Sequence, residues 1–102
     1  MSYVELEQFA LAEGVTRDSF GVLDDGLQAW SYTHRERLLR RTTAYGDDAS
    51  VLVVTLFASG EVPAALGLDA AAATDRDGDP VDALREAIEQ GSYRRAVFED
   101  RG

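Results

Sequence analysis

The sequence has no cysteine, no lysine and no asparagine, and it contains one histidine and one tryptophan. Without cysteine the chain can form no disulfide and no thiolate metal site, and it has no cysteine nucleophile. One histidine is too few for a histidine metal cluster, and neither a Ser-His-Asp order nor a glycine-rich phosphate loop occurs. The usual sequence signatures of hydrolases and metalloenzymes are therefore missing, and we expect no cofactor and no metal.

Basic residues are also scarce. Ten arginines stand against 19 acidic residues, which gives the chain a formal net charge of −9. Such a charge repels phosphate backbones and anionic lipid surfaces. Residues 1–5 carry neither a basic segment nor an apolar run, and no stretch approaches the roughly 20 apolar residues of a membrane span. We therefore expect a cytoplasmic protein that binds neither nucleic acid nor membranes.

The chain of 102 residues is long enough for one domain with a single core, and residues 1–102 are predicted to form it. Its clearest strand is the uncharged segment 50–57, which is rich in β-branched and aromatic residues. Apolar residues fall on both sides of this strand, with Val51, Val53 and Phe57 on one side and Leu52, Val54 and Leu56 on the other. Both faces of the sheet should therefore be covered, one by helices and the other by a second copy of the sheet.

Periodicity and turn residues divide the rest of the chain into strands and helices. They predict strands over 3–11, 38–45, 50–57 and 92–99, a first helix capped by Thr16, a short or broken helix within 63–73, and a last helix from Pro80 to Gly91. Without the broken helix, the order is strand, helix, strand, strand, helix, strand. It predicts an α+β fold of the ferredoxin-like βαββαβ type, with an antiparallel sheet and both helices on one face.

Two local patterns predict which side chains face inward. The first helix should be amphipathic over about five turns, with a stripe at steps of three and four formed by Phe20, Leu23, Leu27, Trp30 and His34. Arg40 and Arg41 are neighbours on one strand, so their side chains must point to opposite faces of the sheet. We expect at least one of these arginines to be paired with a carboxylate or to lie at a sheet edge.

Three parts of the chain resemble the dimeric α/β-barrel superfamily, which includes antibiotic-biosynthesis-monooxygenase-like and stress-responsive barrel proteins. They are Val4-Glu5-Leu6 with the following Phe9 to Val15, Arg40-Arg41-Thr42-Thr43-Ala44, and Val53 to Ser59. The resemblance covers nearly the whole chain, but it consists of strand ends and turns and includes no catalytic signature. It therefore indicates a fold much better than a function.

The resemblance implies a homodimer in which two sheets meet face to face as an α/β barrel, with the helices outside. Enzymes of this type hold an aromatic or quinone-like substrate, or haem, between the sheet and the helices of each subunit. The haem-degrading members use an Asn, a Trp and a His. This chain has no asparagine, and its Trp30 and His34 lie on the first helix, so we do not expect haem degradation.

His34 is the candidate catalytic residue. It follows Trp30 by four residues and shares its helical face, and an imidazole can serve as a general acid or base. The alternative is an ordinary residue at a helix C-terminus, where the helix dipole favours a positive charge. Trp30 is a candidate ligand-binding residue, with the alternative that it continues the apolar core stripe.

Arg41 and Tyr93 are the other candidate ligand-binding residues. If the second and fourth strands approach each other, Arg41 could join Arg40, Arg94 and Arg95 in a site for a carboxylate or phenolate. The alternative is that these arginines form surface ion pairs. Tyr93 could donate a hydrogen bond to a ligand, although tyrosines near strand ends commonly anchor packing.

The acidic loop 75–79 superficially matches a calcium-binding loop, with Glu86 at the last ligand position. Pro80, however, stands where such loops need glycine for a sharp turn. An acidic loop that ends in a helix cap explains the same residues, and we expect no metal there.

These observations predict a small homodimer that binds a small apolar or aromatic molecule between its sheet and its helices. Such a protein could be a cofactor-free enzyme of the monooxygenase-like type. The alternative is a structural or stress-responsive dimer with no catalytic activity.

Overall fold

The computed structural model describes residues 1–69 and 80–101. Its elements in chain order are β1 (Ser2–Ala10), α1 (Arg17–His34), β2 (Leu38–Tyr45), β3 (Ser50–Phe57), α2 (Pro80–Glu86) and β4 (Arg94–Asp100). The predicted order of strands and helices is confirmed, and so are the bounds of β2 and β3. The result is an α+β fold that is compatible with a ferredoxin-like arrangement. No helix in the described ranges is both long and apolar enough to cross a membrane.

The four strands form one antiparallel sheet in the order β2-β3-β1-β4. β3 and β1 are therefore the central strands, while β2 and β4 lie at opposite edges. The expectation that Arg41 and Arg95 could meet through neighbouring strands is wrong for this reason. The prediction for Arg40 and Arg41 is confirmed, since they lie on an edge strand, Arg40 is exposed, and Arg41 is buried against a carboxylate.

The core lies between both helices and one face of the sheet, which we call the inner face. Phe9 of β1 and Val53 of β3 pack there against Phe20 and Leu27 of α1 and Leu84 of α2. Burial of each such side chain contributes about 1.5–3 kcal/mol to stability. The helices thus cover one face of the sheet only, as the sequence predicted.

The opposite face of the sheet, the outer face, carries no helix in the described part of the chain. It presents an apolar row from three strands, formed by Val4, Leu6, Leu52, Val54, Leu56 and Phe98. Leu52 is 37% exposed and Phe98 is 55% exposed. The two-sided apolar pattern of β3 is therefore present, but within these residues only its inner side is buried.

Helix α1 begins at Thr16, as predicted. Thr16 and Ser19 form a capping box, in which the hydroxyl of each accepts a hydrogen bond from the backbone N–H of the other. The buried positions of the helix include two polar residues, Asp24 and Ser31, beside Phe20 and Leu27. The buried stripe is therefore rotated from the predicted apolar one, and strand β2 offers polar partners to Asp24.

After β3, two described segments differ from the sequence-based expectation. Residues 63–69 form no helix, although they are rich in alanine and leucine, and Gly67 takes a positive φ of 76° there. Helix α2 ends at Glu86 because Ile88 pairs with Leu11 in an isolated β-bridge. The predicted helical residues 70–73 and the acidic loop 75–79 lie outside the described residues.

Candidate functional site

A groove of about 340 Å³ opens at the C-terminal end of α1. One wall comes from the end of the helix and the turn after it, namely Trp30, His34 and residues 35–37, together with Phe57. The other wall comes from consecutive residues of the irregular segment after β3. We call residues 61–67 the strap, and its residues 61–66 line the groove. The groove therefore lies between a helix end and a segment without secondary structure.

Trp30 and His34 form a stacked pair in the groove wall. Their ring centroids lie 4.7 Å apart and the ring planes differ by 15°. The Nδ1 atom of His34 lies 2.9 Å from the carbonyl oxygen of Trp30. Because a carbonyl oxygen can only accept, Nδ1 must donate, and Nε2 of the neutral ring then carries the free lone pair. The helix thus presents an aromatic plane beside one hydrogen-bond acceptor.

The remainder of the groove lining combines apolar residues with charged ones. The strap contributes Val62, Pro63, Ala64, Ala65 and Leu66, and β3 contributes Phe57. Glu36, Arg37 and Glu61 provide charges of both signs among the lining residues. Such a lining suits an aromatic molecule with few polar atoms better than a highly charged one.

A buried carboxylate lies directly behind this groove. Glu5 is 0% exposed, and it accepts two hydrogen bonds from Arg35, at 2.8 and 3.0 Å, and one from Nε of Arg95 at 2.9 Å. Burial alone would raise the pKa of the Glu5 carboxyl, but hydrogen bonds and Coulomb attraction from Arg35 and then Arg95 outweigh it. The pKa of Glu5 is therefore lowered, and this carboxylate stays ionised.

A second ion pair joins β2 to α1. The guanidinium of Arg41 lies 2.6 Å from Oδ1 of Asp24, and the Thr43 hydroxyl donates to Oδ2 of the same carboxylate at 2.6 Å. Arg41 is only 5% exposed. It is not among the residues that line the groove, and its charge is already neutralised by Asp24.

Tyr93 also lies away from the groove. Its hydroxyl donates to Glu7 at 2.5 Å, and the residue lines a separate cavity of about 530 Å³ with Arg85 and Ile88. Burial, and next the nearby charge of Glu5, raise the pKa of the Glu7 carboxyl to about 7. Burial and the Glu7 carboxylate likewise raise the pKa of the Tyr93 hydroxyl.

Of the four candidate residues predicted from the sequence, the structure therefore brings Trp30 and His34 together. It places Arg41 and Tyr93 in other contacts. Three polar residues with buried contacts were not among the candidates, namely Arg35 in the groove wall, Glu5 behind it and Glu7 beside Tyr93. The sequence did contain an indication that Glu5 and Glu7 are buried. Side chains alternate along a strand, so both lie on the same face as the core residue Phe9.

Two hydroxyls between the sheet and α1 have no hydrogen-bond partner within the described residues. They belong to Ser31 and Thr55, which are both 0% exposed. Thr55 pairs with Glu5 on one side and with Arg41 on the other in the sheet register, so it separates the two ion pairs. These hydroxyls carry an uncompensated desolvation cost.

No protein-family model, no curated protein and no solved structure matches this chain. The geometry and chemistry of the groove are therefore the basis for inferring a function.

Proposed function

We propose that this protein is a homodimer that binds a small aromatic molecule with a phenolic hydroxyl in the groove between α1 and the strap. The observation that carries the proposal is the stacked Trp30–His34 pair in one groove wall, together with the five apolar strap residues 62–66 in the other. An indole plane offers a flat apolar surface to an aromatic ring, and ring pairs of this kind contribute about 0.5–1.5 kcal/mol beyond area burial.

The phenolic hydroxyl follows from the hydrogen bonding of His34. Its Nδ1 is occupied by the Trp30 carbonyl, which leaves Nε2 as an acceptor in the neutral imidazole. A ligand that presents a hydroxyl donor can satisfy this acceptor, whereas an ether or a hydrocarbon cannot. A net hydrogen bond of this type adds about 0.5–1.5 kcal/mol to binding.

The homodimer follows from the outer face of the sheet. Its apolar row runs over the central strands β1 and β3, and Phe98 on the edge strand β4 extends it. A second copy of the same face would cover these side chains with a self-complementary surface, as a two-fold dimer requires. The resemblance to dimeric α/β barrels supports the same arrangement.

A second candidate function is catalytic. The free Nε2 of His34 could accept the proton of a bound phenol, which is the step that a cofactor-free oxygenase of the monooxygenase-like type needs to activate its substrate. The specific observation in its favour is that the imidazole has one nitrogen fixed and the other available. The competing possibility is a structural or stress-responsive dimer in which the groove binds nothing.

One NMR titration tests the binding proposal. Trp30 is the only tryptophan, so its indole N–H gives one cross-peak that reports on the groove alone. We expect 4-propylphenol to shift this peak in a saturable way, and 4-propylanisole, which lacks the donor, to bind about fivefold more weakly. If 4-propylphenol does not move the Trp30 peak at millimolar concentration, the binding proposal is wrong.

A further inference from the structure

The strap is attached to the rest of the fold by arginine side chains. Arg95 of β4 donates from Nη2 to the Pro63 carbonyl at 2.7 Å. Arg35, the residue after α1, donates from Nη2 to the Ala64 carbonyl at 3.0 Å. Two elements that are distant in sequence thus hold adjacent peptide groups of the same groove wall.

A third arginine holds the end of the strap. Arg85 of α2 donates from Nε to the Gly67 carbonyl at 2.9 Å. Over residues 1–69 and 80–101, no backbone–backbone hydrogen bond joins 61–67 to another segment. A strand or helix would hold these peptides through its own backbone. Here the position of the wall depends on side chains that can change partners without unfolding the sheet.

Glu5 anchors two of the three arginines. It is fully buried on β1. Arg35 binds both of its carboxylate oxygens through Nη1 and Nη2, and the same Nη2 also reaches the strap. Arg95 binds Glu5 through Nε and reaches the strap through Nη2. Bidentate and charge-assisted hydrogen bonds of this kind fix a guanidinium in position and direction. The carboxylate thereby determines where the two donors meet the strap.

We propose that the strap is a movable wall of the groove, held shut by an arginine clamp of Glu5, Arg35 and Arg95. Opening of the strap admits and releases the aromatic ligand. This part of the proposal rests on the proposed function of the groove. Closing brings residues 62–66 against the face of Trp30. The clamp therefore regulates how long the groove retains its ligand.

The test compares three arginine variants. Arg95→Met removes the Pro63 contact, and Arg85→Met removes the Gly67 contact without touching Glu5 or Glu7. Arg94→Met is the matched control, because within 1–69 and 80–101 the Arg94 guanidinium donates to carbonyls of its own turn, those of Gly91 and Tyr93, and to none in the strap. Backbone ¹⁵N order parameters are measured for the amides of residues 62 and 64–66 in the free proteins. The dissociation rate of 4-propylphenol is measured from the Trp30 peak.

We expect the order parameters of these amides to fall from about 0.85, typical of ordered backbone, to below about 0.6 in Arg95→Met and to stay unchanged in Arg94→Met. The dissociation rate should rise about tenfold in Arg95→Met. If Arg95→Met does not fold, Arg35→Met, which removes the Ala64 contact of the other clamp arginine, must show the same loosening of the strap.

Unchanged order parameters in the strap variants, or an equal loss in Arg94→Met, overturn the clamp. Loosening without faster dissociation overturns its regulatory role. If 4-propylphenol does not bind the wild-type protein, the proposed function fails, whereas the order parameters still decide whether the arginines hold the strap.

Discussion

Glu5 and Glu7 lie two residues apart on the inner face of β1, and only Glu5 is paired with arginine. Arg95 stands directly opposite Glu7 in the sheet register, yet its guanidinium binds Glu5. Glu7 is left with the Tyr93 hydroxyl as its hydrogen-bond donor. The pKa values of the two carboxyls consequently move in opposite directions, down for Glu5 and up to about 7 for Glu7.

The first prediction concerns the pH dependence of stability. The Glu7 pKa is raised from 4.5 to about 7 in the folded state, so between these pH values the folded chain holds a proton that the unfolded chain has released. The free energy of unfolding should therefore fall as pH rises through this window, by about 3 kcal/mol at most from this group. Urea unfolding at a series of pH values measures this free energy, and in Glu7→Gln it should no longer decline through the window.

The exposed Glu89→Gln is the control for that experiment, because it removes an acid without changing the core. Glu7→Gln should match the wild type near pH 4.5 and exceed it in stability at pH 8. Equal slopes for Glu7→Gln and the wild type between pH 4.5 and 7 would show that Glu7 is not the group responsible. The lowered pKa of Glu5 has the opposite effect on stability. Its contribution is lost as the pH falls below 4.5.

The second prediction is that Thr55→Val stabilises the protein by about 1 kcal/mol. Valine has nearly the shape of threonine, and it removes a buried hydroxyl that has no partner among the described residues. Thr43→Val is the matched control, because the Thr43 hydroxyl donates to Asp24 at 2.6 Å and its loss should destabilise. In thermal unfolding, the midpoint temperature should rise above that of the wild type in Thr55→Val and fall below it in Thr43→Val. A destabilised Thr55→Val would mean that this hydroxyl has a partner after all.

The third prediction addresses the outer face. Leu52→Glu places a charge next to Val54 at one end of the apolar row and should convert the proposed dimer to a monomer, because each dimer would bury two such charges. Val22→Glu is the control, since Val22 is 73% exposed on α1. Light scattering after size-exclusion chromatography gives the molecular mass of the wild type and of both variants. A wild-type monomer, or a dimer that tolerates Leu52→Glu, would refute dimerisation through this face.

The fourth prediction separates stacking from hydrogen bonding in the groove. His34→Phe keeps an aromatic ring beside Trp30 but removes the Nε2 acceptor. The affinity for 4-propylphenol should fall about fivefold, to that for 4-propylanisole, whose own affinity should not change. Titration of the Trp30 indole peak measures both ligands on both proteins. Equal losses for the two ligands would assign His34 a packing role only.

Local patterns were enough to predict most of the fold. The uncharged run of β3 and the turn before it determine the β2–β3 hairpin, and neighbouring Arg40 and Arg41 could not share a face. The Trp30–His34 pair was also predictable, because residues four apart on a helix are neighbours. Each of these predictions depends on interactions within a few residues along the chain.

The polar cluster behind the groove could not be predicted in the same way. Burial of Glu5 depends on Arg35 and Arg95, which lie 30 and 90 residues away in sequence. The strap was predicted to be partly helical from its alanine and leucine content, but arginines from other elements bind its carbonyl groups instead. Tertiary contacts here override local propensity.

The attachment of the strap also bears on how this protein could diverge. Its peptide groups are held at three carbonyl oxygens, which every residue type possesses, so the side chains of 62–65 can vary without loss of these anchors, whereas Leu66 also packs against the core. Four consecutive codons could thus alter the size and chemistry of the molecule accepted, while the sheet and the helices keep their sequence. A combinatorial library confined to these positions would yield new specificities on an unchanged scaffold.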